Sequence, residues 1–229
     1  MVDFHTHILP NMDDGSESPE MSLKMLTRLS EQGVDTVCLT SHFYAYENDP
    51  DTFLKRRRSS ARKLIVAAGG LDALPVEVRL GAEVLYYTGM SRDPDQVRKL
   101  CLQDTDRLLL EMPFHPWSQN MIDEVLALQG MTGINIMMAH IDRYFGYVPA
   151  EVFDTLRNRG IMLTMNVSAL TERKTRRKAL RLIREWQIGA LTSDCHNLTN
   201  RPPEIEKAFE ILEKHKLQHQ IEMFRSISL

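Results

Sequence analysis

The stretch Ile134-Asn135-Ile136-Met137-Met138-Ala139-His140 holds the pattern that decides the fold: a short, mostly apolar run that stops on a side chain able to bind a metal or carry a proton. Runs of this length and make-up read as buried strands. The same pattern occurs upstream at Val2–Phe4, Thr36–Thr40, Val76–Ala82 and Arg107–Leu110, and downstream at Ile161–Asn166 and Ala190–Ser193, giving seven candidate strands. Helix-like segments with recognisable punctuation separate them. Ser18-Pro19 opens the first and Gly33 closes it, while Gly69-Gly70, Gly130 and Gly160 end three others. A polar cap before proline starts a helix, and glycine supplies the left-handed turn that ends one. Strands alternating with helices predict parallel pairing. Seven such units read as one domain over residues 1–229, an α/β fold of the (β/α)7 barrel kind, with a doubly wound open sheet as the alternative.

Composition fits that reading. A chain of 229 residues with 43% hydrophobic side chains is large enough to bury a real core. The net charge of -3 gives no global attraction to nucleic acid or anionic lipid, so an anionic substrate has to be held by a local charge cluster. No run approaches the ~20 apolar residues of a membrane span, and Met1-Val2-Asp3-Phe4-His5 lacks the basic and apolar regions of a signal peptide. A cytoplasmic protein without membrane insertion is expected. Cys38, Cys101 and Cys195 show no CxxC spacing, which argues against a disulfide framework or a thiolate zinc site. The basic runs Lys55–Arg58 and Arg173–Arg184 read as solvated helix faces.

What the strands end on carries the functional reading. In order, the terminal residues are His5 and His7, then His42, Glu83, Glu111, His140, Asn166, and finally Asp194 with His196. In a (β/α) barrel these ends converge on one face. His5-Thr6-His7 in extended conformation sends both imidazoles to the same side, because strand side chains alternate with period two. Glu83, Asp14 and Asp194 add hard oxygen ligands, and a mixed imidazole and carboxylate set suits Mn, Zn or Fe. Without cations, burying five histidines and four acids together would strand several charges at several kcal/mol each. Arg143 and Arg201 lie within a few residues of His140 and His196, and a planar guanidinium matches phosphate oxygens. Their alternative role is a salt bridge to a rim acid such as Asp142.

A cysteine mechanism also has a sequence signal. Cys195 and Arg201 stand in Cys-x5-Arg spacing, as do Cys101 and Arg107. A thiolate attacking phosphorus needs a loop of backbone N–H groups, usually made possible by glycine and free of acids. Neither loop has glycine, and Asp104 and Asp106 lie within the second. Both spacings read as coincidence.

The segments Asp3-Phe4-His5-Thr6-His7-Ile8, Asp13-Asp14-Gly15, Thr40-Ser41-His42, Gly81-Ala82-Glu83, Ala139-His140-Ile141-Asp142-Arg143-Tyr144 and Ser193-Asp194-Cys195-His196-Asn197 together resemble the polymerase and histidinol phosphatase (PHP) superfamily. Within it they look like the bacterial manganese-dependent tyrosine phosphatases of capsule and exopolysaccharide regulation. The resemblance spans the chain to about Pro203, with Asp142 where relatives often carry Glu and without the Asn-Pro segment many have near the C-terminus. It implies a distorted TIM-like barrel with three metal ions, manganese first, iron or zinc as alternatives. His5, His7, Glu83 and Asp194 would hold the first; Glu83 would bridge to a second held by Glu111 and His140; Asp14, His42 and His196 would hold the third. Asp13 would support this set from a loop turn. The implied activity is hydrolysis of phosphotyrosine by a metal-activated hydroxide, with Arg143 and Arg201 as the catalytic, phosphate-binding pair. The implied partner is a tyrosine-phosphorylated protein, the tail of a polysaccharide-synthesis kinase; a small phosphomonoester such as histidinol phosphate is the alternative substrate. The loops Phe43–Pro50 and Phe114–Asn120 would govern access, their aromatics Phe43, Tyr44, Tyr46 and Trp117 being candidates to pack on a tyrosyl ring.

Overall fold

Every expected strand is present, and two short strands that were not expected follow the second and third of them. The computed structural model describes residues 1–229. Its strands are β1 (Val2–Thr6), β2 (Thr36–Leu39), β3 (His42–Phe43), β4 (Glu77–Leu80), β5 (Glu83–Leu85), β6 (Arg107–Glu111), β7 (Asn135–Met138), β8 (Met162–Asn166) and β9 (Ala190–Thr192). The helices are α1 (Pro19–Glu31), α2 (Pro50–Ala68), α3 (Pro94–Arg98), α4 (Gln119–Thr132), α5 (Ala150–Asn158), α6 (Ser168–Thr171), α7 (Arg173–Arg184), α8 (Glu206–Lys214) and α9 (Gln218–Ser226). All strand pairings are parallel. One ladder runs β1-β2-β4 and the other β3-β5-β6-β7-β8-β9, so the molecule is a mixed α/β fold on a curled parallel sheet. The curl brings β9 beside β1: Thr6 bridges Cys195, and the Asp194 and His7 amides donate to the His5 and Cys195 carbonyls, both at 2.9 Å.

The runs expected at Thr36–Thr40 and Val76–Ala82 stop one or two residues early, and new short strands start just beyond them at His42 and Glu83, giving nine strands where seven are expected. The two segments are held against each other at the break. The Glu83 amide reaches both the Thr40 and Ser41 carbonyls, at 3.0 and 3.1 Å, and Gly81 lies so close to the next segment that a Cβ there would stand 2.5 Å from Leu102 Cδ2. Past the break, His42 and Glu83 are directly opposed across the β3–β5 ladder, which turns both side chains to one face.

Local signals explain most helix limits. Ser18 accepts from the Met21 amide with Pro19 in the first turn, Asp49 caps α2 before Pro50, and Gly69 ends α2 in the left-handed region at φ 88°. Gly130 does not end its helix: α4 runs on to Thr132 and stops at Gly133, φ 73°. A lone glycine inside a helix is tolerated, so it marked no end here.

Alternating strand positions divide the apolar residues. Leu108, Leu110, Ile136 and Met138 belong to the large core under the helices, whereas Phe4, Leu109, Met137 and Ala190 form a smaller cluster that fills the curl. A register shift between Asp3 and Thr6 changes the parity of β1, which lets Phe4 pack in that inner cluster while His5 and His7 join the polar cluster at the strand ends.

Candidate metal centre

Most of the nine candidate ligands lie at or just beyond the C-terminal ends of strands, while His42 and Glu83 open the short strands β3 and β5 and Asp14 lies on the loop after β1. His5, His7, Glu83, Glu111, His140, Asp194 and His196 are buried, His42 is half-buried and Asp14 is exposed. His140 and Asp194, which follow β7 and β9, have φ of 30° and 52°. Such backbone in a non-glycine residue costs about 1–3 kcal/mol and persists where the surroundings over-determine it, commonly at functional sites.

The ligand atoms converge. His5 Nε2 and His7 Nε2 are 3.0 Å apart, and Glu83 Oε2 is 3.1 and 3.2 Å from them. Asp194 Oδ1 is 3.5 and 3.6 Å from the same two nitrogens. Ligand bonds of about 2.1 Å put neighbouring donors ~3.0 Å apart in an octahedron and ~3.4 Å in a tetrahedron, so these spacings are edges of a coordination shell. His140 Nε2 is 2.8 Å from Glu83 Oε1 and 3.4 Å from Glu111 Oε1. Asp14 Oδ1 lies 3.5 Å from His42 Nε2 and 3.4 Å from His196 Nε2. Three sets bring their ligand atoms within 4.8 Å of one another: His5, His7 and Glu83; His42, Glu83 and Glu111; and His7, Asp14, His42 and His196. This grouping differs in detail from the one implied by resemblance, since His7 and His42 each stand in two sets. His42 leans toward Glu83, its Nδ1 2.9 Å from Oε2.

The donor chemistry fits divalent cations. Glu83 Oε2 and Asp194 Oδ1 are buried and make no hydrogen bond of good geometry, facing only histidine ring nitrogens. A hard or borderline cation is the partner that suits carboxylate oxygen beside imidazole nitrogen. Neighbouring groups hold the rings in the orientation such a cation needs. His7 Nδ1 donates to Asp13 Oδ2 at 2.8 Å, leaving Nε2 for the cluster, and His196 Nδ1 donates to the Asp194 carbonyl at 3.0 Å. Asp13 also accepts from the His42 and Gly15 amides, so one carboxylate ties β1, the loop and β3 together. Only glycine fits at position 15, where a Cβ would stand 2.1 Å from the His7 carbonyl oxygen.

Charge is strongly coupled across the cluster. Burial works against the His7 cation, but Asp13 and Glu83 outweigh it and raise the imidazole to about 10; Glu111 and Glu83 outweigh burial at His140, raising it to about 9. His196 goes the other way, lowered to about 3 by burial and by the positive His7 and Arg201. Burial disfavours the Glu83 carboxylate, yet the surrounding histidines hold it well below the usual range. A divalent cation would displace the ring protons, since a ligating imidazole offers a lone pair.

Both candidate arginines lie at the edge of this cluster and share Asp194 Oδ2. Arg143 donates to it through Nη2, Arg201 Nη2 is 2.6 Å away, and Asn166 Nδ2 donates at 2.7 Å. Asp194 is therefore split, one oxygen on guanidinium and amide donors and the other facing the histidines. Asp142, the expected rival partner for arginine, instead accepts from the Asn166 amide at 2.9 Å. Asn197 Oδ1 accepts from the Thr199, Asn200 and Arg201 amides and so shapes the loop that presents Arg201. A cavity of about 590 Å³ opens beside the pair, lined by Arg143, Asn166, Ser168, Asp194 and Arg201 among others. The role of Asn166 as an Asp194 donor was only half visible in sequence, as one more polar strand end.

The aromatic expectations divide. Phe43 is buried edge-on to Phe53 at 5.4 Å, and Trp117 packs edge-on to Tyr144 at 5.0 Å with its N–H on the Pro113 carbonyl, so both are structural. Tyr44 stacks on His42 at 5.3 Å and Tyr46 stacks on Tyr44 at 5.4 Å. Phe114 was missed as a site residue: its exposed ring lies 6.0 Å from His140 and 6.0 Å from the Arg143 guanidinium. Its place three residues after Glu111 was the available signal.

The cysteines are not nucleophiles in this geometry. Cys195 is fully buried, and burial with Asp3 nearby pushes its thiol far up; Cys101 is buried and raised to about 12. Cys195→Ser should keep kcat within about threefold of the native value while lowering the melting temperature by a few degrees, because it places a hydroxyl in an apolar site. Steady-state kinetics with thermal unfolding checks both parts; near-complete loss of turnover in a folded variant would restore the thiolate mechanism.

Comparison with known proteins places the chain among relatives. A family model described as capsular polysaccharide synthesis, CpsB/CapC, matches residues 1–226. The chain is 26% identical over 220 residues to the tyrosine-protein phosphatase YwqE of Bacillus subtilis (strain 168), covering 93% of this chain and 84% of the relative. It is 28% identical over 229 residues to the tyrosine-protein phosphatase CpsB of Streptococcus pneumoniae, covering 93% and 90%. Among solved structures, a chain from the crystal structures of YwqE and CpsB, described there as unique metal-dependent tyrosine phosphatases, superposes with a TM-score of 0.77 at 24% identity, covering 100% of this chain and 96% of that one. It establishes a shared fold. No helix in the structure is long and apolar enough to cross a membrane.

Proposed function

Because the chain belongs to the capsular polysaccharide synthesis CpsB/CapC family, we propose that it is a metal-dependent protein-tyrosine phosphatase. The observation that carries this reading is the convergence of His5, His7, Glu83 and Asp194 with two carboxylate oxygens facing only ring nitrogens, beside a cavity bordered by two arginines. The finer reading is a PHP-type barrel, a single unit over residues 1–229, acting in the cytoplasm with three ions, manganese first. His5, His7, Glu83 and Asp194 serve one ion, Glu83, Glu111 and His140 a second, and Asp14, His42 and His196 a third, with His7 and His42 near enough to a neighbouring set to be shared. When bound, such ions supply Lewis acidity and make hydroxide available near neutral pH.

The remaining work falls to the chain itself. Arg143 and Arg201 move from Asp194 Oδ2 onto the non-bridging phosphoryl oxygens, where a guanidinium fork matches the charge that spreads over them in the transition state. Asp13 holds the His7 ring, and Asn166 keeps Asp194 turned toward the cluster. Tyr44, Tyr46 and Phe114 stand where an aryl group would enter. A phenolate leaving group has a pKa of about 10 and departs with little general-acid help, so the lack of a dedicated acid is no obstacle. The substrate proposed is a tyrosine-phosphorylated protein, with the tail of a polysaccharide-synthesis kinase as the partner. Comparing kcat/KM for phosphotyrosyl peptides and histidinol phosphate tests the choice. A preference for the peptides of at least tenfold is expected, and a large preference for histidinol phosphate would overturn it.

A further inference from the structure

Helix α7 carries seven cationic residues among its 12 and no acid. The chain as a whole has 28 cationic and 31 anionic side chains, so the remainder of the molecule is net acidic and the positive charge is concentrated on one element. Locally this is unfavourable. Arg173 and Arg177, Lys174 and Lys178, and Arg177 and Arg181 are like charges one turn apart, and Arg173 and Lys174 oppose the positive end of the helix dipole. None of the seven forms an ion pair with an acid of the chain.

Two of the seven are engaged internally. Arg176 donates from Nε and Nη2 to the Leu170 and Thr171 carbonyls, both at 2.6 Å, and Lys178 Nζ lies 4.0 Å from the centre of the Phe145 ring. Arg173, Lys174, Arg177, Arg181 and Arg184 are exposed. The opposite face, Ala179, Leu180, Leu182 and Ile183, is buried, so the cations are fixed on a rigid helix. An open groove of about 410 Å³ follows that face, lined by Arg173, Arg176, Arg177, Leu180, Arg184 and His215. At the start of the helix, Thr171, Glu172 and Thr175 line the cavity that holds Arg143 and Arg201. The N-terminal end of the basic helix thus borders that cavity, while the groove itself runs along another side of α7.

We propose that the α7 groove docks an acidic segment of the polypeptide substrate, a few residues from the phosphotyrosine held at the metal centre; this rests on the phosphatase reading. From Arg173 to Arg184 the helix spans about 16 Å, the reach of about five residues of extended chain. The nearness of the start of α7 to the cavity and the density of unpaired cations favour an acidic polypeptide over an anionic membrane, and the apolar face that would enter a bilayer is already buried in the core.

The test uses the full, metal-loaded chain. Paired phosphotyrosyl peptides differ only in carrying four glutamates or four glutamines, starting about five residues before or after the phosphotyrosine. In one arrangement the acidic peptide should show a five- to tenfold higher kcat/KM, chiefly through KM, and the advantage should disappear at high salt and in the variant R173Q/R177Q/R181Q/R184Q. Hydrolysis of p-nitrophenyl phosphate, too small to reach α7, provides the reference and should be equal in both proteins, with circular dichroism verifying the fold. Fluorescence anisotropy of an unphosphorylated acidic peptide reads docking independently of turnover: tighter binding to the native chain than to the variant, even without hydrolysis of p-nitrophenyl phosphate, would support the groove and count against the phosphatase reading. Equal kcat/KM for the paired peptides in both arrangements, or an acidic preference retained by the variant, would overturn the proposal. So would equal peptides together with loss, in the variant alone, of cosedimentation with phosphatidylglycerol vesicles, which would assign the surface to a membrane.

Discussion

Glu83→Gln should lower kcat by about a thousandfold or more, roughly 4 kcal/mol of lost transition-state stabilisation. One oxygen of Glu83 lies 2.8 Å from His140 Nε2, and the other lies 2.9, 3.1 and 3.2 Å from ring nitrogens of His42, His5 and His7. No other carboxylate touches all these groups. An amide of the same shape has a single neutral acceptor and an NH₂ that points donors at the histidines, so it removes the negative charge and forbids bridging in one step. KM should change far less than kcat, because Arg143 and Arg201 do not contact Glu83. Steady-state kinetics together with metal content by mass spectrometry checks the assignment. A folded variant with fewer bound ions and a thousandfold loss is expected; full metal content and near-native turnover would remove Glu83 from the centre.

Chelation should abolish turnover, and Mn²⁺ should restore it to at least half the starting rate. The same treatment should lower thermal stability. A ligand that binds only the folded chain stabilises it by about 2.7 kcal/mol at a hundred times its dissociation constant, and in a chain of this size that moves the midpoint by roughly 5–10 °C. The stripped centre leaves Glu83 Oε2 and Asp194 Oδ1 facing only ring nitrogens and raises the cost of burying their charge. Activity assays and scanning calorimetry with EDTA, then with added Mn²⁺, give both readouts. Turnover unaffected by chelator would sink the metal mechanism.

Much of this was legible in the residues. Short apolar runs ending in His, Asp or Glu announce strands whose ends meet, and the period-two rule alone puts His5 and His7 on one side. What sequence could not show were contacts between distant segments. At the breaks after Leu39 and Leu80 the Glu83 amide bonds the Thr40 and Ser41 carbonyls between β2 and β3, a contact between positions about forty residues apart. Phe43 and Trp117 look like site aromatics from their loops, yet Phe53 and Tyr144 draw them into the core. That Arg143 and Arg201 share one oxygen of Asp194 is likewise a fact of convergence, as is the sharing of His7 and His42 between sets of ligands.

The pairing of β9 with β1 bears on how the enzyme comes into being. His5 and His7 precede Asp194 and His196 by 189 residues, so the strand that lies beside them is made long after them. A nascent chain therefore exposes seven of the nine candidate ligands before the last two and Arg201 emerge from the ribosome. Until then, Ser193 cannot donate to Asp3, and the His5 carbonyl has no Asp194 amide to accept. Hydrolytic competence is thus withheld from any translation product that stops before Arg201.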